Sequence, residues 1–110
     1  MTTIKKEELK NKLEAHENVK LFMALDRRAY EKVHIPGSLF FDSLEEAFEN
    51  LKKDDEIVVY CTNPICPASY RAYQALRSRG YRKLARYAGG LEDWSTAGYP
   101  LEGKMVGSYN

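Results

Sequence analysis

The sequence predicts an α/β domain with a mostly parallel sheet, and three observations carry that prediction. Short apolar or β-branched runs alternate with segments of helical periodicity along the chain. One such run, Ile57-Val58-Val59-Tyr60, stops at Cys61, passes through a tight loop holding Pro64 and Pro67, and gives way to a helix-like pattern. The length of 110 residues, with no linker or internal repeat, fits one domain over 1–110 with a core at about 4–101.

The elements follow in order. Residues 5–15 read as a helix, with Leu9 and Leu13 four apart among Lys and Glu and Thr3 as the nearest cap. Asn18 breaks the pattern, and Val19 to Leu25 reads as a buried strand. Residues 26–33 form a short helical turn whose Asp26, Arg27 and Arg28 read as solvated surface. His34-Ile35-Pro36-Gly37 is a turn signal, with His34 as a structural hydrogen-bonding group within it. Ser38 to Phe41 reads as a short strand. Ser43-Leu44-Glu45-Glu46 is a capping box, and Leu44, Ala47, Phe48 and Leu51 form the apolar stripe of the helix behind it. Lys52 to Asp55 is a polar loop and Glu56 to Tyr60 a strand. The next helix runs from about Pro67 to Arg79, with Ala68, Ala72, Ala75 and Leu76 on one face; Pro67 suits its first turn and Gly80 its stop. Lys83 to Tyr87 reads as the last strand. Gly89-Gly90 then turns the chain into a helix at 91–97 that carries Trp94 and ends at Gly98 and Pro100. Residues 102–110 carry little signal and read as a tail that frays.

Composition excludes several function classes. A net charge of +1 gives no general attraction to nucleic acid or to an acidic membrane. Apolar runs reach about five residues, against the ~20 that a membrane-spanning helix needs. The opening Met1-Thr2-Thr3-Ile4-Lys5-Lys6 lacks the apolar segment of a secretory signal, so the expected location is the cytoplasm. The nearly neutral total hides two signs. Residues 42–56 hold seven acids against two lysines, whereas between Ile57 and Leu91 there are six basic residues, Arg71, Arg77, Arg79, Arg82, Lys83 and Arg86, and no acid.

The chemistry is expected at the loop after Tyr60. A thiol at the end of a parallel strand faces the crevice outside the sheet's carboxyl edge, where α/β proteins bind ligands. Loop amides and the dipole of the following helix favour a thiolate at Cys61, and the basic stretch would lower its pKa further, with Arg71 the cation nearest the loop. The alternative is that Cys61 is a small buried residue at a strand end. Cys66 has three readings: attack on a sulfur species at Cys61, capping of the helix, or packing. A disulfide between the two would close too small a loop to constrain the unfolded chain much. Two cysteines with no histidine at ligand spacing are too few for a closed zinc site, so no metal is expected.

Several segments in order and spacing resemble the single-domain rhodanese family. They are Tyr30-Glu31-Lys32-Val33-His34-Ile35-Pro36-Gly37-Ser38, Glu56-Ile57-Val58-Val59-Tyr60-Cys61, Gly80-Tyr81 and Gly89-Gly90-Leu91-Glu92-Asp93-Trp94. The resemblance runs from about Ile4 to Leu101. It implies a rhodanese-like fold, a five-stranded mostly parallel sheet flanked by helices on both faces. It also implies sulfur transfer without a cofactor, with Cys61 as the nucleophile carrying sulfane sulfur as a persulfide. Thr62, Asn63, Ile65, Cys66, Ala68 and Ser69 would then line the substrate loop, their amides cradling charged sulfur, with Arg71 beside it. The implied partners are a small anionic sulfur donor and a thiol or protein acceptor. A non-catalytic binding or redox-sensing module using the Cys61/Cys66 pair is the alternative.

Departures from the family pattern shape these expectations. The span Cys61 to Ala68 is eight residues, longer than usual, holds a second cysteine and contains no Arg or Lys. It resembles a subgroup with an extended Cys…Cys…Ala-Ser loop. Missing a charge-assisted contact, it is less suited to thiosulfate, and its width admits a larger substrate. Related phosphatases carry Cys-x5-Arg, and that final position is Pro67, which disfavours phosphatase chemistry. Upstream, Met23 and Leu25 stand where the family usually has Asp-x-Arg.

Overall fold

The computed structural model describes residues 1–15 and 17–105. Its elements run α1 (Lys6–Glu14), β1 (Val19–Met23), α2 (Arg27–Lys32), α3 (Leu44–Asn50), β2 (Glu56–Tyr60), α4 (Ala68–Ser78), β3 (Leu84–Tyr87) and α5 (Gly90–Thr96). None of these helices is long and apolar enough to cross a membrane.

The sheet is parallel and has three strands in the order β1-β2-β3, not five. Each outer position carries a single parallel bridge instead, Leu39 to Phe22 on one edge and Thr3 to Arg86 on the other. Ser38 shows why the expected 38–41 strand does not propagate. Its amide and hydroxyl both turn back to the Ile35 carbonyl, at 3.0 and 2.6 Å, so the chain is still in the turn when it reaches the sheet. The opposite edge is a clamp: Arg86 N–H donates to the Thr2 carbonyl and Ile4 N–H to the Arg86 carbonyl.

Period-two alternation splits the core between the two faces. Leu21, Met23, Val58, Tyr60 and Tyr87 pack with Leu9 of α1, Val33, Ile35, and Leu91 and Trp94 of α5. Phe22, Ile57, Val59 and Leu84 pack with Ala47 of α3, with Ala72, Tyr73 and Leu76 of α4, and with Tyr81. Helices therefore cover both faces of the sheet. Met23, at the position where the family's acid is usual, is fully buried in the first cluster. Tyr60 carries a polar group into that cluster. Its hydroxyl accepts from Ile35 N–H at 3.0 Å and meets the Ser38 hydroxyl at 2.6 Å, while burial pushes its pKa far up.

Local chemistry explains several ends. Ser43 Oγ accepts from Glu46 N–H, the cap expected from the sequence. Asp26, Arg27 and Arg28 are exposed, as expected, and Asp26 also caps α2 by accepting from Ala29 N–H, while Arg27 pairs with Asp42. No side chain caps α1, which starts after Lys5. His34 takes the structural role expected: Nδ1–H donates to the Tyr30 carbonyl at 2.7 Å and the ring stacks on Tyr30. Residues 102–105 are anchored, correcting the expectation of fraying. Glu102 and His34 exchange both backbone hydrogen bonds, and Lys104 and Met105 donate to the Glu31 and Lys32 carbonyls. Residues 106–110 of the expected tail lie outside the described residues.

Candidate functional site

β2 delivers Cys61 to the carboxyl end of the sheet. Alternation along the strand puts Cys61 on the face of Ile57 and Val59, toward α4. Cys61 is 1% exposed. Its thiol lies 3.2 Å from Ser69 Oγ and donates to the Cys66 carbonyl at 3.4 Å.

Two helix starts meet around this strand end. On one side the first turn of α5 takes the loop's carbonyls: Leu91 N–H donates to Cys61 O at 3.0 Å and Glu92 N–H to Thr62 O at 2.9 Å. A trans peptide sets its N–H opposite its C=O, so these contacts turn the Thr62 and Asn63 amides toward the loop interior. The approach demands Gly90, which sits at φ +64, where an added Cβ would lie 2.4 Å from the Cys61 carbonyl oxygen. On the other side α4 begins at Ala68 after Pro67, without a side-chain cap.

The loop also holds itself. Asn63 Oδ1 accepts from the Ile65 and Cys66 amides at 3.0 and 3.1 Å, an Asx-type turn, so those two amides face a side chain of the loop. Ile65 stands at the loop's tip, 90% exposed. Underneath runs Arg86, which pairs with Val59 across the β2–β3 ladder. Its Nε donates to Ser69 Oγ at 2.8 Å, and its Nη2 reaches the Pro64 and Cys66 carbonyls at 3.3 and 3.4 Å. A guanidinium thus ties together the loop, the start of α4 and the last strand.

The two thiols interact, and they titrate in opposite directions. Burial pushes Cys61 up, and its hydrogen bond to Cys66 adds to this, outweighing the help from the Ser69 hydroxyl and amide. Burial works against Cys66 as well, but hydrogen bonds from the Cys61 thiol and from the Ala68 and Thr62 amides, together with the charge of Arg86, bring it below the usual thiol range. This corrects the expectation of a lowered Cys61. The helix-start amides act on both sulfurs, Ser69 on Cys61 and Ala68 on Cys66, while the charge of Arg86 helps lower Cys66.

Of the expected loop residues, Cys66 and Ser69 meet the Cys61 thiol, through the Cys66 carbonyl and Ser69 Oγ; Asn63 braces the Ile65 and Cys66 amides, and Ile65 faces outward. Arg71 lies elsewhere. It is exposed and lines a neighbouring groove of about 260 Å³ with Phe22, Leu25, Phe41, Asp42 and Ala68. The cation that enters the loop is Arg86, which sequence proximity does not single out. Strand alternation does, since Arg86 faces the same way as its partner Val59 and hence as Cys61. A larger depression of about 400 Å³, beside Thr2, Glu56 and Lys83, lies at the opposite ends of the strands, away from the thiols. Among the described residues, no three His, Cys, Asp or Glu side chains converge as a metal site.

Comparisons with known proteins place the family and the fold. The family model described as the rhodanese-like domain matches residues 5–97. "Putative sulfur carrier protein YrkF" of Bacillus subtilis (strain 168) is 27% identical over 91 residues, which are 81% of this chain and 48% of that protein, so the chain spans about half the length of the curated relative it matches. Among solved structures, the rhodanese-like domain of the Alr3790 protein from Anabaena sp superposes with a TM-score of 0.85 at 28% identity, covering 96% of this chain and 81% of that one. A thiosulfate sulfurtransferase from Pseudomonas aeruginosa superposes at 0.80 with 22% identity, over 94% of this chain and 20% of that one, a likeness of fold.

Proposed function

Because the chain belongs to the rhodanese-like domain family, we propose that it is a sulfurtransferase in which Cys61 carries sulfane sulfur as a persulfide. The observation that carries the reading is the position of Cys61. It is a free, buried thiol at the carboxyl end of the central strand, 3.2 Å from Ser69 Oγ at the start of α4. In the first step, the Cys61 thiolate attacks the sulfane sulfur of an anionic donor. A new S–S bond forms and the donor's remaining part leaves with the electron pair of the bond that breaks. In the second step, a nucleophilic acceptor, cyanide in an assay or a thiol in the cell, takes the outer sulfur and Cys61 leaves as thiolate. Amide N–H groups stabilise the anionic sulfur in both steps. The loop has no Arg or Lys of its own to hold a thiosulfate sulfonate, which favours a donor such as polysulfide. The proposed compartment is the reducing cytoplasm, where both thiols stay available.

The contact of the Cys61 thiol with the Cys66 carbonyl, in a loop holding two free cysteines, supports a second reading, a redox-sensing module that closes a Cys61–Cys66 disulfide. Intact-mass measurement separates the two. On the proposed function, the wild-type protein gains sulfur after treatment with polysulfide or thiosulfate, and Cys61→Ser gains none. A wild-type protein that gains no sulfur from either donor, and only loses two hydrogens on oxidation, would favour the sensor.

A further inference from the structure

The second cysteine sits where a passive loop residue need not be. Cys61 is enclosed by Ser69 Oγ, the Cys66 carbonyl and the carbonyl contacts to α5, so a bulky acceptor has no direct line to its sulfur. Cys66 is half-buried, next to the exposed Ile65 at the loop tip. Its backbone is held at both ends, the amide by Asn63 Oδ1 and the carbonyl by Arg86. The Cys61 thiol lies 3.4 Å from the Cys66 carbonyl, so the two residues meet directly. Cys66 therefore stands between the enclosed Cys61 and the exposed loop tip.

We propose that Cys66 is the internal acceptor of the sulfur carried by Cys61, and that the sulfur leaves the protein from Cys66. The inference rests on the sulfurtransferase reading and deepens it. The step balances without an outside reagent. The Cys66 thiolate attacks the outer sulfur of Cys61–S–SH and an S–S bond forms at Cys66. The S–S bond at Cys61 breaks, and its electron pair leaves with Cys61 as thiolate. The proton travels with the transferred sulfur, and the product is Cys66–S–SH. Total oxidation state is unchanged, since one persulfide replaces another. Arg86, at the Cys66 carbonyl, favours the Cys66 thiolate for the attack, and an outside thiol then meets a persulfide near the loop tip.

The test uses the whole chain loaded with inorganic polysulfide, desalted, and chased separately with cyanide, a small acceptor, and with reduced glutathione, a large one. Wild type, Cys66→Ser, Cys66→Ala and Cys61→Ser are compared by intact mass, and fragment masses locate the added sulfur after alkylation. The relay predicts added sulfur on Cys66 in the loaded wild type. It also predicts that both Cys66 variants load at Cys61 but discharge to glutathione about tenfold or more slowly relative to cyanide, since an oriented intramolecular acceptor has been removed. An unchanged glutathione-to-cyanide ratio in both variants overturns it. So does a wild type that releases sulfide and closes to a disulfide with no sulfur on Cys66. A wild type that takes up no sulfur overturns the sulfurtransferase reading itself, an outcome distinct from normal loading with an unchanged ratio.

Discussion

Replacing Gly90 by alanine tests whether the start of α5 sets the position of Cys61. The residue sits at φ +64, and a Cβ there would meet Cys61 O at 2.4 Å, Thr62 C at 2.7 Å and Thr62 O at 2.8 Å. All three are backbone atoms, so no side-chain rotation relieves the contact. A left-handed conformation costs an L-residue about 1–2 kcal/mol. Moving the carbonyls away stretches the hydrogen bonds from Leu91 and Glu92, each with a net contribution of about 0.5–1.5 kcal/mol. The expected loss is therefore about 2–5 kcal/mol, which leaves a protein of ordinary stability folded at room temperature. On the usual enthalpy of a domain this size the melting temperature falls by roughly 8–20 °C. Urea unfolding measures the loss, and the alkylation rates of the two cysteines in the folded variant measure the displacement of the loop. A loss under about 1 kcal/mol with unchanged alkylation would refute the reasoning, because it would mean that α5 does not fix the peptide after Cys61.

Three further outcomes follow from the same geometry. Arg86→Met removes a positive charge that helps lower Cys66, so the pH profile of Cys66 alkylation moves to higher pH; a profile that stays in place refutes the role given to Arg86. A folded-state Cys66 pKa below its unfolded value stabilises the protein above the unfolded pKa, and that contribution disappears as pH falls through the folded pKa. The stability of wild type relative to Cys66→Ser therefore grows as pH rises toward the unfolded thiol pKa in urea titrations, and a difference that shrinks with rising pH contradicts the assignment. Tyr60→Phe strips the partner from the buried Ile35 amide and leaves the Ser38 hydroxyl only its Ile35 contact, and it lowers stability by about 1–3 kcal/mol in the same assay. A neutral result there would place a water in the vacated space.

The periodic parts of the fold were legible. β2 and α4 stand within a residue or so of where hydrophobic pattern, Pro67 and Gly80 put them, because those signals are local and strong. The sheet edges were not. A single bridge at Leu39 or Thr3 has no period to detect, and Ser38 is captured by the Ile35 carbonyl, a contact that alternation does not encode. The anchoring of residues 102–105 is likewise tertiary, made with the end of α2 and with His34. At the site, the loop is contiguous and so could be named from the sequence as one segment. The guanidinium under it could not, because Arg86 is close across a ladder pair and not along the chain. The direction of the Cys61 shift was missed because helix-start amides were weighed without burial, and a strand end under two helices is a dry place.

The bridge between Thr3 and Arg86 has one more implication. Arg86 is gripped at its backbone by Thr2 and Ile4 and grips, with its side chain, the loop that carries both thiols. It acts as a tie rod through the edge of the sheet, with one anchor in the first few residues and the other under Cys66. The loop that holds both cysteines is thereby braced against the first few residues of the chain, nearly sixty positions earlier in sequence.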